Sequence, residues 1–369
     1  MPKCNHDPTR RLGAKRSFAG TTLVIDTKPR PPEDSPSHAP GSIGWTKALT
    51  RQMLSASVVS ITAPGGRDRR SVRLELDDGR TVIATRRESL DRAEHEAALL
   101  TVLHREGAPV PEVLGFREGL LLQADAGRNR LSSVLTVTGP AGSLDLARAA
   151  IEALERCRTV AEGNADVVAS LPGLGTRSGW AEELVSRAFF LSGDLKLAAP
   201  DIDADALAAS LAFGPKRFTR WDARLGNAAV QPDGSVVWFD WDIFGRRAGV
   251  EDISWLIADN YWSFDRTVTE ALLEQMVPDA ALRDLTRRMA VLIAIGRLGK
   301  IRERIVAAGW AAPEITLRED RIGAVPEVIV SLCSRMAELC FDDRILTGFV
   351  PWFSQVAEGM KGLDRPEAP

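Results

Sequence analysis

The chain is short of the residues that staple small folds or hold zinc. Four cysteines, Cys4, Cys157, Cys333 and Cys340, are scattered through 369 residues with no Cys-x-x-Cys pair. That argues against a disulfide framework or a zinc site and points to a reducing cytosol, so a cytoplasmic setting is expected. No histidine follows His104, which argues against a Ser-His-Asp hydrolase in the C-terminal half. No apolar run approaches a membrane span. The longest, AVLIAIG (290–296), is flanked by arginines and reads as a buried helix. The N-terminus is basic but lacks the apolar segment of a secretory signal. A net charge of −3 creates no field toward nucleic acid or an acidic membrane, and neither is expected as a partner. The 47 Lys+Arg are mostly arginine, and there is no lysine between Lys47 and Lys196. No internal repeat is visible.

Apolar residues make up 44% and charged residues 26%, the balance of an ordinary globular protein. Residues 1–44 are rich in Pro, Ser and Gly and are expected to form a flexible tail, apart from a short strand at 21–26. After a short helical stretch from Trp45, β-branched residues alternate in VVSITA (58–63), SVRLEL (71–76) and TVIAT (81–85). With Asp78-Gly79 as a hairpin turn, residues 58–87 read as a three-stranded meander. A helix over 89–107 follows, capped by Ser89 and ended by Gly107, with Ala97, Leu100, Leu103 and His104 on one face. Two more strands are expected at 111–116 and 119–125. From Leu144 the period is helical, over 144–162, 178–192, 202–212, 249–260, 265–276, 279–308, 319–340 and 344–359. One hairpin, NAAVQPDGSVVWFDW (227–241), interrupts it. The expected fold class is α+β: a small antiparallel lobe over 45–127 and a larger helical lobe over 128–369.

The chemistry is concentrated around that hairpin. Asp222 lies in the loop after KRFTRW, Asn227 starts the first strand and Asp240 ends the second. An antiparallel pair brings its two ends together, so Asn227 and Asp240 should be neighbours. A carboxylate and an amide oxygen side by side suit a hard cation such as Mg²⁺, which takes few protein ligands and completes its shell with phosphate oxygens. Asp222 is then placed to accept a proton from a hydroxyl. Each residue alone is also explained as a turn, cap or strand end; together they point to metal-assisted phosphoryl transfer.

The pattern resembles the aminoglycoside phosphotransferase and choline kinase family, which has the bilobal protein-kinase-like fold. The residues that carry the resemblance are Arg220-Trp221-Asp222, Asn227, Phe239-Asp240-Trp241 and Asp252-Ile253, and it extends over about residues 45–345. It implies that Asp222 is the catalytic base, that Asn227 and Asp240 hold Mg²⁺, and that Asp252 buttresses the catalytic loop. ATP or GTP is the implied donor and a small hydroxylated molecule the acceptor. Arg220 and Trp221 stand where the family has His and Gly, a change read as altered packing or substrate contact. Arg224 reads either as a phosphate contact or as a solvated loop arginine.

The fold also calls for a cation on the third strand, paired with a Glu on the next helix. With no lysine there, alternation places Ala84 and Arg86 on one face, which makes Arg86 the expected phosphate contact and Arg87 the second choice. Glu96 is the expected helix partner, although an exposed helix carboxylate explains it equally well. No Gly-x-Gly-x-x-Gly occupies the first turn, where Pro64-Gly65-Gly66 is the flexible element, and GLLLQADAG (119–127) resembles the connector whose backbone meets adenine. Trp241, Asp242, Glu251, Trp255, Asp259 and Trp262 are candidate acceptor-wall residues; Trp255, Asp259 and Trp262 also lie at helical spacing, which core plus solvated face explains at least as well. The competing reading is a catalytically silent kinase-like binding protein. Acceptor identity and oligomeric state stay open.

Overall fold

The computed structural model describes residues 40–63, 70–214, 216–318 and 323–363. The expected strand at 21–26, most of the tail, the Pro64-Gly65-Gly66 turn and the start of the 319–340 helix lie outside them.

The N-terminal lobe opens with α1 (Ile43–Leu54), capped by the Ser42 hydroxyl, which accepts from the Trp45 N–H at 3.1 Å. Five strands follow, with one helix between the third and fourth: β1 (Val58–Thr62), β2 (Ser71–Leu76), β3 (Thr81–Arg86), α2 (Leu90–Arg105), β4 (Val113–Arg117) and β5 (Leu120–Ala124). They form one antiparallel sheet in the order β1-β2-β3-β5-β4. The Asp78-Gly79 turn is present, with Gly79 at φ 84°, a conformation that favours glycine. Ser89 caps α2, and Gly107 at φ 74° lies just past its end. Ala97, Leu100 and Leu103 are buried as expected, whereas His104 is exposed.

Alternation divides the sheet into two faces. Leu74, Leu76, Val82, Ala84, Leu120 and Leu122 pack against Trp45 and Leu49 of α1 in a small core of their own. The opposite face contributes Leu121, which joins α2 in the large core that continues into the helical lobe. Each fully buried Leu or Val contributes about 1.5–3 kcal/mol, so both faces of this thin sheet are held by apolar burial.

The second lobe is built on α4 (Pro140–Gly163), α6 (Trp180–Leu195), α8 (Glu251–Ile257) and the central α10 (Ala280–Ala308), whose buried face runs from Leu285 to Ile305. Further helices are α3 (Leu131–Val137), α5 (Ala165–Ser170), α7 (Ala204–Ser210), α9 (Arg266–Met276), α11 (Pro313–Arg318), α12 (Pro326–Leu339) and α13 (Phe349–Lys361). Those at 131–137, 165–170 and 313–318 were not anticipated; each is at most two turns long, too short for a periodic signal. The expected hairpin forms from Ala228–Val230 and Val236–Trp238, in the register Ala228↔Trp238, around a turn in which Asp233 accepts from Ser235. A second two-stranded sheet, unforeseen, pairs Arg217–Thr219 with Gly245–Arg247. It clamps the segment before Asp222 to the segment after Asp240. No helix among the described residues is long and apolar enough to cross a membrane.

Candidate active site

The hairpin register puts Asn227 opposite Phe239, whose N–H donates to the Asn227 carbonyl at 3.0 Å. Asp240 is the next residue, so Asn227 and Asp240 lie near each other at the hairpin's open end. Asn227 reaches back to the loop as well: its Nδ2 donates to the Asp222 carbonyl at 3.0 Å and to Asp222 Oδ2 at 3.1 Å. Asp222, Asn227 and Asp240 thus share one site.

The loop around them is strained. Trp221, Asp222 and Asp240 adopt φ of 56°, 51° and 61°, a left-handed region that costs non-glycine residues about 1–3 kcal/mol each. Two buried groups hold it. Asp252, on the first turn of α8, accepts from the Thr219 hydroxyl at 2.9 Å, the Arg220 N–H at 3.0 Å and the Trp221 N–H at 2.8 Å. Arg220 is 1% exposed. Its guanidinium donates to the Asp222 carbonyl at 2.7 Å, the Asp240 carbonyl at 3.0 Å and the Phe239 carbonyl. It also lies over the rings of Trp238 and Trp241, 5.0 and 5.2 Å from their centroids. Burial pulls the Arg220 pKa down, while the charges of Asp222, Asp252 and Asp240 oppose that shift. Arg220 therefore ties the loop bearing the candidate base to the strand end bearing the candidate metal ligand, a role no spacing rule exposed.

The N-terminal lobe corrects one expectation. Arg87, not Arg86, meets Glu96: Nε and Nη2 donate to the two carboxylate oxygens, each at 2.7 Å. Arg87 Nη2 also reaches Asp240 Oδ1 at 3.2 Å, joining the lobes. Arg86 is exposed, with its guanidinium packed against Gly41. Arg86 does share a face with Ala84, but that face carries α1; the cleft lies on the other side, with Ile83, Thr85 and Arg87. Burial pushes the Glu96 carboxyl up and the Arg87 charge opposes it. At Arg87, desolvation is outweighed by Glu96 and the nearby aspartates, so the guanidinium stays charged. Burial in the cleft disfavours a charged Asp240, yet Arg87 and Arg220 together hold its carboxyl below the ordinary carboxylate value.

Arg224 is part of the site. Its Nη2 donates to Asn227 Oδ1 at 3.0 Å, and its Nε lies 3.3 Å from Asp222 Oδ1. A second arginine, Arg73, was missed in the sequence. It pairs bidentately with Asp125 at 2.6 and 2.9 Å and donates to the Gly127 carbonyl at 3.1 Å, fixing the connector to the sheet.

The donor set fits Mg²⁺. Asp240 offers a carboxylate whose side chain is 41% exposed, and Asn227 offers an amide oxygen, to which Arg224 donates. Both are hard oxygen ligands, few enough to leave positions for phosphate and water. Among the described residues no group of three His, Cys, Asp or Glu that could hold a metal is gathered.

Most of the expected acceptor wall is core. Trp241, Glu251, Asp259 and Trp262 are each at most 2% exposed. Glu251 is paired with Arg247 at 3.0 Å and accepts from the N–H groups of Ala248 and Gly249. Asp259 accepts from the N–H groups of Leu225 and Tyr261 and lies 3.6 Å from Arg297. Only Asp242 and Trp255 of that set keep exposed surface.

A small antiparallel lobe over a helical lobe, joined by a connector and meeting at an Asp-Asn-Asp site, defines the kinase-like class. The model of the phosphotransferase enzyme family matches residues 61–291, well over half of the chain. The chain belongs to that family. Among solved structures it is similar to the GDP complex of a mutant aminoglycoside 2'-phosphotransferase-IIIa, with 12% identity and a TM-score of 0.50, covering 86% of this chain and 96% of that one. It is also similar to a macrolide 2'-phosphotransferase from Brachybacterium faecium, with 16% identity and a TM-score of 0.46, over 68% and 90% of the two chains. An aminoglycoside phosphotransferase from Streptomyces rimosus gives 18% identity and a TM-score of 0.40, over 68% and 98%. No curated protein matches the chain.

Proposed function

We propose that the protein transfers the terminal phosphoryl group of ATP or GTP to a hydroxyl of a small molecule in a Mg²⁺-dependent reaction. The nucleotide sits between the lobe formed by residues 45–127 and that formed by residues 128–369. The observation that carries this reading is the convergence of Asp222, Asn227 and Asp240 on one interlobe site, opposite the Arg87–Glu96 pair. The GDP bound by the aminoglycoside 2'-phosphotransferase of the same fold supports the choice of a nucleotide donor. Buried, unpaired Cys157, Cys333 and Cys340 support a cytoplasmic setting.

Asp222 accepts the acceptor hydroxyl's proton as its oxygen bonds to phosphorus and the bond to the departing nucleoside diphosphate breaks. Arg87, oriented by Glu96, contacts the nucleotide phosphates, and Arg224 adds a second phosphate contact from the loop. Asn227 and Asp240 hold Mg²⁺, which when bound neutralises charge on the phosphate oxygens. Asp252 and Arg220 keep the base and the ligands in register.

A second reading is favoured by one feature: Arg224 already engages Asn227 Oδ1, and Arg87 already engages Asp240 Oδ1. In a catalytically silent kinase-like binding protein those guanidiniums would stand permanently where a metal belongs. A thermal-shift titration with ATP and GTP, with and without Mg²⁺, on wild type and Asp240→Ala separates the two. Saturable, Mg²⁺-dependent stabilisation that is lost in Asp240→Ala supports the enzyme. No shift at millimolar nucleotide transfers the assignment to the silent protein.

A further inference from the structure

Trp221 immediately precedes Asp222, so their Cα atoms are about 3.8 Å apart. Its ring does not enter the core behind the loop. It stays partly exposed between two other partly exposed indoles: Trp180 at the start of α6, 6.1 Å away at 59°, and Trp255 on α8, 6.4 Å away at 70°. Three indoles from three separate elements thus form a shelf beside the candidate base. On its outer side Trp180 also lines a cavity of about 340 Å³, whose other walls include Arg177, Glu182, Asp205, Phe213 and Arg247.

Four of the carboxylates near the shelf are not free to meet a polycation. Glu251 and Asp259 are buried and internally paired, and Asp252 is occupied by the loop. Asp242 lies 3.8 Å from Arg87 and 3.7 Å from Arg92. The guanidiniums nearby are engaged in the same way: Arg224 with Asp222, Arg220 with the carbonyls beneath the loop, and Arg247, stacked on Trp180 at 4.1 Å, with Glu251. With these charges paired inside the chain, the indole faces are what the shelf offers an acceptor, and they favour a flat or apolar ring face by stacking and area burial.

We propose that the acceptor is an uncharged hydroxylated molecule with a flat ring face, such as an aryl glycoside or a nucleoside, held in the Trp180–Trp221–Trp255 cluster, stacked on one indole and edge-on to its tilted neighbours, with its hydroxyl toward Asp222. The proposal rests on the phosphotransferase reading for the role of Asp222, but the shelf itself is tested by binding alone.

The experiment is isothermal calorimetry on the full chain, with and without saturating ADP and Mg²⁺. The probes are phenyl β-D-glucopyranoside, adenosine, glucose, ribose and kanamycin. The expected result is that phenyl glucoside or adenosine binds about tenfold or more tighter than its parent sugar, and tighter than kanamycin. Trp221→Gly, which suits the positive φ, and Trp255→Leu should each remove that preference, while Mg²⁺-nucleotide stabilisation in a thermal-shift assay is retained. Tighter binding of kanamycin, no advantage of the ringed probes over their sugars, or an unchanged preference in both variants would overturn the shelf. Loss of nucleotide stabilisation in the wild type with the ring preference intact would instead remove the phosphotransferase reading and leave the shelf standing.

Discussion

The two halves of the site reach their arrangement by different routes. In the helical lobe the candidate residues sit on a hairpin and on a loop that the hairpin fixes: the pairing Ala228↔Trp238 leaves Asn227 and Asp240 no other place to be. In the sheet lobe the cation comes from the end of β3, where parity alone decides. Arg86 and Arg87 are adjacent in sequence and opposite in fate, one exposed beside Gly41 and the other buried on Glu96. A motif anchored by a two-ended constraint survives sequence divergence in a readable form. A motif anchored by strand parity can be read on the wrong face.

Breaking the helical-lobe half should have the largest effect. Asp222→Asn should lower phosphoryl transfer by about 10²–10⁴-fold with nucleotide affinity retained, measured by steady-state transfer and nucleotide titration; unchanged turnover would remove Asp222 from the mechanism. Breaking the sheet-lobe half sharpens the Arg86/Arg87 contrast. Arg87→Met leaves Glu96 buried without its partner, which should cost about 3–5 kcal/mol of stability and abolish nucleotide-induced stabilisation. Arg86→Met should change both by little, within about 0.5 kcal/mol in stability. Urea unfolding and thermal shift on the pair decide it, and equal effects would mean that both arginines serve the cleft.

Arg220 joins the comparison because it ties the Asp222 loop to the Asp240 strand end from within the core. Arg220→His is too short to reach the Asp222, Phe239 and Asp240 carbonyls together, leaving buried acceptors unsatisfied at about 1–3 kcal/mol. Turnover should fall more than nucleotide affinity, since the base and the ligand strand lose their common tie. An affinity loss with turnover intact would reassign Arg220 to nucleotide binding alone.

The sheet lobe was legible almost strand for strand, because three β-branched runs and two short apolar runs, separated by turn residues, leave few alternatives. What alternation could not supply was which face meets the cleft. Both faces of β3 are enclosed, Val82 and Ala84 by α1, Thr85 and Arg87 by the interlobe side. The helix that decides between them, α1, is a long way off in sequence. The grouping of Asp222, Asn227 and Asp240 was legible from spacing. Arg220 was not, since a buried arginine whose guanidinium meets only carbonyls and ring faces carries no periodic signature. The acceptor wall failed for a related reason: Glu251 and Asp259 look available in sequence because their partners, Arg247 and Arg297, meet them only through the fold.

The smallest expected effect concerns the link between the halves. Burial in the cleft works against a charged Asp240, but Arg87 and Arg220 outweigh it and hold its carboxyl below the ordinary 3.8. A depressed carboxylate pKa means that the folded state binds this proton less readily than the unfolded chain. The stabilisation is therefore fully present above pH 3.8 and is lost as pH falls through the lower, folded value. Asp240→Asn has no such proton to bind, so the stability gap between wild type and variant should narrow as pH falls below that value. Because the Asp240 side chain is 41% exposed, solvent screens the pair and the change should stay under about 1 kcal/mol. Urea midpoints of both proteins between about pH 3 and 6, without nucleotide or metal, measure it on the acid side of the ordinary carboxylate range. A gap that stays constant across that range would mean that Arg87 answers to Glu96 alone, and that the two halves meet at this site without an electrostatic link.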